Sequence, residues 1–111
     1  MLVKSTNKFK ISLLKLAKKD KQLFDEVEEL IETLHKKDEV GTHLGNGRYK
    51  IRLKNNSNNK GKSAGYRIIT YSKIENTILL VYIYSKSKDE SVSSHRIDDI
   101  IYNYKIDSLE K

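Results

Sequence analysis

The sequence contains no cysteine, no proline and no tryptophan, and only five of its 111 residues are glycine. The absence of cysteine excludes disulfide bonds and thiolate metal sites, and nothing points to an oxidising compartment. Long apolar runs are missing too. The longest apolar-rich block, Ile78 to Tyr84, has the length of a strand, and the N-terminus lacks the apolar run of a signal peptide. We therefore expect a cytoplasmic protein.

Histidine is scarce, and the three histidines do not suggest a metal site. His35, His43 and His95 are far apart in the sequence and fall in different predicted elements. A structural or catalytic metal needs several ligands that converge on one point. We expect no metal and no cofactor, and we keep His43, which lies close to Arg48 and Lys50 in the sequence, as a candidate for contact with a ligand.

Acidic residues are absent from the central third of the chain. Between Val40 and Ile74 there are eight basic residues and no acidic one, whereas the rest of the chain holds 14 of the 22 basic residues and all 15 acidic ones. The formal net charge of +7 is therefore concentrated in one segment. A local cationic surface attracts polyanions, so this distribution predicts a nucleic-acid or phosphate partner.

The apolar residues change from helical to strand spacing along the chain. Leu2-Val3 is a candidate for a short first strand, and Thr6 and Asp20 can cap two amphipathic helices that form a hairpin. The apolar stripes of these helices are Phe9, Leu13, Leu16 and Ala17, followed by Leu23, Phe24, Val27, Leu30, Ile31 and Leu34. The polar stretch from Lys36 to Gly47 predicts a loop.

Three strands and a last helix are predicted after this loop. The strands cover Tyr49 to Leu53, Gly65 to Ser72 and Thr77 to Tyr84, and the helix starts near Ser93. Short links between consecutive strands favour antiparallel pairing. The predicted fold class is α+β: an N-terminal helical hairpin packed on a small, mainly antiparallel β-sheet, with a C-terminal helix, in one domain over residues 1–111.

The first of these strands has one cationic face. Lys50, Arg52 and Lys54 alternate with apolar residues, which places the three cations about 6.5–7 Å apart along the strand. This spacing suits contact with a nucleic-acid backbone. A merely solvated strand face usually mixes charges of both signs, and this one does not. The following Lys60-Gly61-Lys62-Ser63 lacks the full spacing of a phosphate-binding loop and is expected to contact RNA as a basic loop.

The central strands resemble the core of the RelE/ParE toxin superfamily. The resemblance lies in Tyr49-Lys50-Ile51-Arg52-Leu53-Lys54 and in Gly65-Tyr66-Arg67-Ile68-Ile69-Thr70-Tyr71. The link ending at Gly65 and the block from Leu79 to Lys86 look like the HigB-like branch. The resemblance covers roughly Phe9 to Tyr104; the central block is fairly specific, whereas the flanking helices are generic.

This resemblance implies the toxin of a type II toxin–antitoxin system that cleaves mRNA on the ribosome. In the family's chemistry the 2′-OH attacks the adjacent phosphate without a metal. Lys50 and Arg52 would be the two strand cations, one of them as base, and Arg67 would stabilise the phosphate in the transition state. Arg48, Lys54, Lys60, Lys62 and Lys88 would bind RNA. The implied partners are a cognate antitoxin, the ribosome and mRNA.

The sequence departs from the RelE pattern after the last strand. RelE has an arginine and then a catalytic tyrosine there, but this chain has Ser87, Lys88 and Ser93. Tyr84 and Lys86 are the residues that could take these roles. Two alternatives stay open at this point: a ParE-like gyrase inhibitor, since ParE toxins share the fold, and a non-catalytic RNA-binding module.

Overall fold

A computed structural model describes residues 2–37, 41–53, 65–74, 76–86 and 92–109 of the chain. Three helices and one five-stranded sheet make up these residues, which gives a mixed α/β fold. The elements in chain order are β1 (Leu2–Ser5), α1 (Asn7–Ala17), α2 (Leu23–Lys37), β2 (Thr42–Gly45), β3 (Arg48–Leu53), β4 (Tyr66–Tyr71), β5 (Thr77–Ser85) and α3 (Ser94–Leu109). Within the described ranges, no helix combines the length and the apolar composition that crossing a bilayer requires.

The sheet has the strand order β1-β5-β4-β3-β2. β1 runs parallel to β5, and the pairs β5–β4, β4–β3 and β3–β2 are antiparallel. The mainly antiparallel sheet agrees with the sequence prediction, and the candidate first strand at Leu2-Val3 forms as β1, but the fold description that began with a helical hairpin was wrong in detail. The chain starts with a strand and only then forms the helices. β1 has four residues, too few for a periodic pattern, and its pairing partner lies far away in the sequence.

The predicted loop from Lys36 to Gly47 contains the edge strand β2. Thr42 and His43 pair with Lys50 and Tyr49 of β3, and Asn46 and Gly47 form the turn with φ angles of 52° and 79°. Thr42, His43 and Leu44 are all exposed. Backbone hydrogen bonds to β3 hold this strand in the sheet. Because the strand buries few side chains, its sequence lacks the apolar alternation that would have revealed it.

The two faces of the sheet carry separate cores. Helices α1 and α2 pack on one face, which we call the helical-hairpin side, around Phe9, Leu23, Ile51 and Ile68. Helix α3 packs on the other face, the α3 side, through its predicted apolar stripe, Ile97, Ile100, Ile101 and Tyr104. The predicted stripes of α1 and α2 also lie in their core, with one exception: Phe24 is 47% exposed.

Thr6 joins α1 to the central strand β5. Its Oγ1 accepts a hydrogen bond from the backbone N–H of Phe9 at 3.0 Å, as predicted for a helix cap, and donates one to the carbonyl of Val81 at 2.8 Å. The residue is 3% exposed, so water cannot replace either bond.

Replacing Thr6 with alanine is expected to lower the free energy of unfolding by about 1–3 kcal/mol, because it removes a helix cap and leaves a buried carbonyl without its donor. Urea denaturation measures the change. Thr6→Ser is the matched control, since it keeps the hydroxyl, and it should lose clearly less stability than Thr6→Ala. Equal losses in the two variants would contradict the role of the hydroxyl.

Tyr66 ties β4 to the link between α1 and α2. Its hydroxyl donates to a carboxylate oxygen of Asp20 at 3.0 Å, and the other oxygen of Asp20 accepts from the N–H of Gln22 in the turn before α2. Burial of the phenol, with a further contribution from the Asp20 hydrogen bond, raises the pKa of Tyr66 from 10.0 to about 12.

This shift predicts a loss of stability in alkali. An unfolded chain releases the Tyr66 proton near pH 10, whereas the folded chain keeps it until about pH 12. The contribution of Tyr66 to the free energy of unfolding is therefore fully present below pH 10 and is lost as the pH rises towards 12. Denaturation curves between pH 9 and 12 should fall more steeply for the wild type than for Tyr66→Phe. All other ionisable groups are the same in both proteins, so parallel curves would speak against the shift.

Candidate nucleic-acid interface

The register of the three central strands places two arginines and a tyrosine side by side. Arg52 of β3 lies opposite Arg67 of β4, and Arg67 lies opposite Tyr84 of β5. We call these three residues the arginine row. Opposite residues point to the same face of a sheet, with Cβ atoms roughly 4.5–5.5 Å apart. That face is the α3 side, because the neighbouring Ile51 and Ile68 pack on the helical-hairpin side.

The two guanidinium groups of the arginine row lack an acidic counterpart on these strands. Arg52 is exposed and Arg67 is half-buried, and the sequences of β3, β4 and β5 contain no acidic residue. Nη1 of Arg67 donates to the carbonyl of Tyr66 at 3.3 Å. Like charges opposite each other destabilise a sheet. An anion bound between the two arginines would offset this repulsion.

A second row continues the cationic surface. Lys50 lies opposite Ile69, and Ile69 lies opposite Tyr82. Arg96, in the first turn of α3, places its guanidinium 5.0 Å from the centre of the Tyr82 ring, and its Nη2 lies 3.5 Å from the Tyr82 hydroxyl. Arg96 therefore adds a cation that reaches this face from the helix. The sequence analysis did not select Arg96; the available signal was an isolated cation just before Asp98 and Asp99.

A β-bulge in β5 determines which tyrosines share the face with the arginines. Ile69 pairs with Tyr82 and Thr70 with Leu80, so Val81 is an extra residue on β5. Leu79 and Val81 lie in the α3-side core, and after the bulge Tyr84 lies there as well. Because side chains alternate along a strand, an unbulged β5 would turn Tyr84 towards the helical-hairpin side.

The two residues predicted to replace the missing RelE positions lie at this end of the sheet. The Tyr84 side chain is 3% exposed and forms the buried end of the arginine row. Lys86 is exposed, and its N–H donates to the carbonyl of Gly65 at 3.0 Å, next to the start of β4. The structure therefore brings Lys86 close to the strand that carries Arg67. The catalytic roles of Tyr84 and Lys86 stay predictions.

Arg48 lies at the opposite end of β3, and its side chain contacts other residues of the same chain. Its Nη1 is 3.1 Å from a carboxylate oxygen of Asp98 on α3, and its Nε donates to the carbonyl of Gly45 at 3.1 Å. The side chain is only 12% exposed. These contacts anchor α3 to the sheet, roughly 13 Å along the strand from Arg52. A role of Arg48 in RNA binding stays a prediction.

Four of the predicted RNA-binding residues, Lys54, Lys60, Lys62 and Lys88, lie outside the described residues. His43 is described: it is exposed on β2, with its ring 4.9 Å from the ring of Tyr49. In the part of the chain that the structure covers, no group of three or more His, Asp or Glu side chains could hold a metal ion.

The fold and this surface define an α/β protein whose sheet presents Lys50, Arg52 and Arg67 on the α3 side. A family model described as the RelE toxin of the RelE/RelB toxin–antitoxin system matches residues 3–103. The chain therefore belongs to the RelE toxin family, which confirms the resemblance seen in its central strands. The HigB-like branch is a finer assignment and stays a prediction. No curated protein matches the sequence.

Proposed function

We propose that this toxin is an endoribonuclease that cleaves mRNA on the ribosome. The 2′-oxygen of a nucleotide attacks the adjacent phosphorus and the 5′-oxygen of the next nucleotide leaves, so the chain is cut without an added water. This reaction needs the substrate to be aligned and its developing negative charge to be stabilised. Cations of the chain itself can do both, and the proposal therefore assigns no step to a metal.

The arginine row is the observation that carries this proposal. Arg52 and Arg67 lie in register on neighbouring strands, in a part of the sheet whose strands contain no acidic residue. Two guanidinium groups at this separation form a fork for one phosphate group, because guanidinium matches the geometry of phosphate oxygens. Binding of the phosphate relieves the repulsion between the two arginines. The remaining excess of positive charge favours a state of the substrate that carries more negative charge.

The side chains on the α3 side suit different parts of the cleavage reaction. Arg67, half-buried, would stabilise the charge on the phosphate, and Arg52, exposed, would hold and orient the RNA. Lys50 is the candidate for the base, because an amine can release its proton whereas a guanidinium cannot. Lys86 and Arg96 are the candidates for a cation near the leaving oxygen. Tyr84, which is buried, would position Arg67 from the next strand.

An antitoxin is the expected protein partner of a RelE-family toxin. We propose that it covers the cationic α3 side with acidic or amphipathic segments. Opposite charge would guide the two proteins together and would keep RNA away from Arg52 and Arg67 at the same time.

Primer extension on mRNA in a translation extract tests the proposed function. We expect cuts in phase with the codons on a translated message, and none on the same message without a start codon. Cuts on both messages would point to a ribosome-independent nuclease. RNA that is bound but uncut would indicate a binding module. Inhibition of purified gyrase in a supercoiling assay, with intact message, would indicate the ParE-like activity.

A further inference from the structure

A small cationic pocket lies beyond the Arg48 end of β3, apart from the arginine row. It has a volume of about 250 Å³, and Arg48, Tyr71, Lys73, Asp98, Tyr102 and Lys105 contribute to its lining. We call it the Tyr102 pocket. Pockets for whole small-molecule ligands usually measure about 300–1,000 Å³. A volume of this size suits a single group such as a phosphodiester better than a complete cofactor.

The charges of the Tyr102 pocket favour an anion. Arg48 is paired with Asp98, which leaves the positive charges of Lys73 and Lys105 in excess. The ammonium of Lys105 has a fixed place, because it lies 3.1 Å from the hydroxyl of Tyr71 and 5.1 Å from the centre of its ring.

Gly47 makes room for the stem of Lys73 at the rim of the pocket. A Cβ atom on Gly47 would lie 2.4 Å from Cγ of Lys73, so any larger residue would displace this lysine. Gly47 also has a φ of 79°, which disfavours other residues there. The turn between β2 and β3 is thus built to let the lysine pack closely.

Tyr102 adds an exposed aromatic ring next to these cations. It is 64% exposed, more than any other large apolar side chain of the described residues. The ring is therefore accessible to a ligand. Exposed aromatic rings beside cations are the usual means of binding single-stranded nucleic acid, because the ring stacks on a base while the cations hold the backbone.

The Tyr102 pocket and the arginine row lie along the same face of β3. Arg48 and Arg52 point to the α3 side, with Lys50 between them, and the distance from Arg48 to Arg52 is roughly 13 Å. A few nucleotides of extended RNA can span this distance. RNA held at the arginine row can therefore reach the pocket without leaving the surface.

We propose that the Tyr102 pocket is a second RNA-binding site, in which Lys73 and Lys105 hold a backbone phosphate and Tyr102 stacks on an unpaired base. The proposal rests on the proposed function for the position of the cleaved phosphate. The RNA can be the message itself or an unpaired segment of ribosomal RNA, and both offer the same chemistry. The pocket extends the footprint on RNA beyond the nucleotides that are cut.

Binding measurements on the full chain test this proposal. The probes are a labelled single-stranded RNA of ten nucleotides with 2′-O-methyl groups, which cannot be cleaved by 2′-OH attack, and purified ribosomes in a pelleting assay. Tyr102→Ala should weaken binding to at least one probe by about tenfold, since stacking on one base is worth about 1–3 kcal/mol. Tyr102→Phe should bind like the wild type. Loss with the oligonucleotide identifies the message as the ligand, and loss with ribosomes alone identifies ribosomal RNA.

Lys73→Gln tests the contribution of one of the two pocket lysines to RNA binding. Lys15→Gln, on the far side of the molecule, removes the same charge and is the control. Lys73 and Lys15 are both exposed, so neither change should disturb folding. Lys73→Gln should lower the affinity and reduce the slope of log affinity against log salt by about 1, because one phosphate contact is lost. Lys15→Gln should change neither.

Unchanged binding of both probes by Tyr102→Ala and Lys73→Gln would overturn the proposal. So would a loss confined to antitoxin binding, which would make the pocket a protein-docking site. These results differ from a failure of the proposed function. In that case the wild-type protein leaves translated message intact, yet the two variants still bind RNA more weakly than the wild type does.

Discussion

Replacing Lys50 and Arg52 together with alanine is expected to abolish mRNA cleavage and growth arrest while the fold survives. Both side chains point to the cationic α3 side, Arg52 is exposed and Lys50 is half-buried, and neither belongs to either core. Removing one preorganised charge-stabilising donor costs about 10²–10³ in rate. The double variant also loses the proposed base. The rate of codon-phased cleavage in a translation extract should therefore fall by about 10³ or more.

The control for this experiment is a variant with the same loss of charge elsewhere. Lys15→Ala/Lys19→Ala removes two exposed lysines at the end of α1 and just after it, on the helical-hairpin side. It should cut message at nearly the wild-type rate. Circular dichroism and a urea melt show whether each variant is folded. Full growth arrest by a folded Lys50→Ala/Arg52→Ala variant would remove the basis of the proposed active site.

Arg67→Ala is expected to slow cleavage by about 10²–10³, with a much smaller effect on RNA affinity, because Arg67 is assigned to the charge that develops during the reaction. Arg67→Lys should recover part of the rate, since it restores the charge but not the planar fork. Single-turnover cleavage, with binding measured separately on an uncleavable RNA, separates the two effects.

Stability provides an independent check on Arg67. Arg67 lies opposite Arg52, so Arg67→Ala removes a repulsion between like charges. The free energy of unfolding should stay the same or rise by a few tenths of a kcal/mol. A clear decrease in the free energy of unfolding of Arg67→Ala would mean that Arg67 stabilises the folded protein. Cleavage at the wild-type rate would mean that Arg67 has no part in the chemistry.

Strand β3 shows what the sequence can predict about the site. Its apolar residues alternate with Lys50 and Arg52, and the structure places these two cations on one face, as the period of two requires. Strand β5 behaves differently. All nine of its residues except Tyr82 are buried, because helices cover both faces of the sheet at this strand. A strand of that kind has no alternation to read.

The bulge at Val81 has no sequence signal either, since no glycine or proline marks it. The sequence could therefore name Tyr84 but could not decide which face it joins. Arg96 was missed for a related reason. Helical periodicity identifies the buried stripe of α3, whereas the contact of Arg96 with Tyr82 depends on how the helix is placed over the sheet. The ion pair of Arg48 was not predicted, because its partner Asp98 is 50 residues away in the sequence.

The parallel pairing of β1 with β5 has a consequence for biosynthesis. Thr6 and Val81, joined by a hydrogen bond, are 75 residues apart in the chain. At roughly 5–20 residues per second, a ribosome needs about 4–15 s to synthesise that stretch. During this time β1 has no strand to pair with, because β5, the bulged strand that completes the arginine row, has not yet been synthesised. Each new copy therefore assembles its cationic face only after β5 has been synthesised.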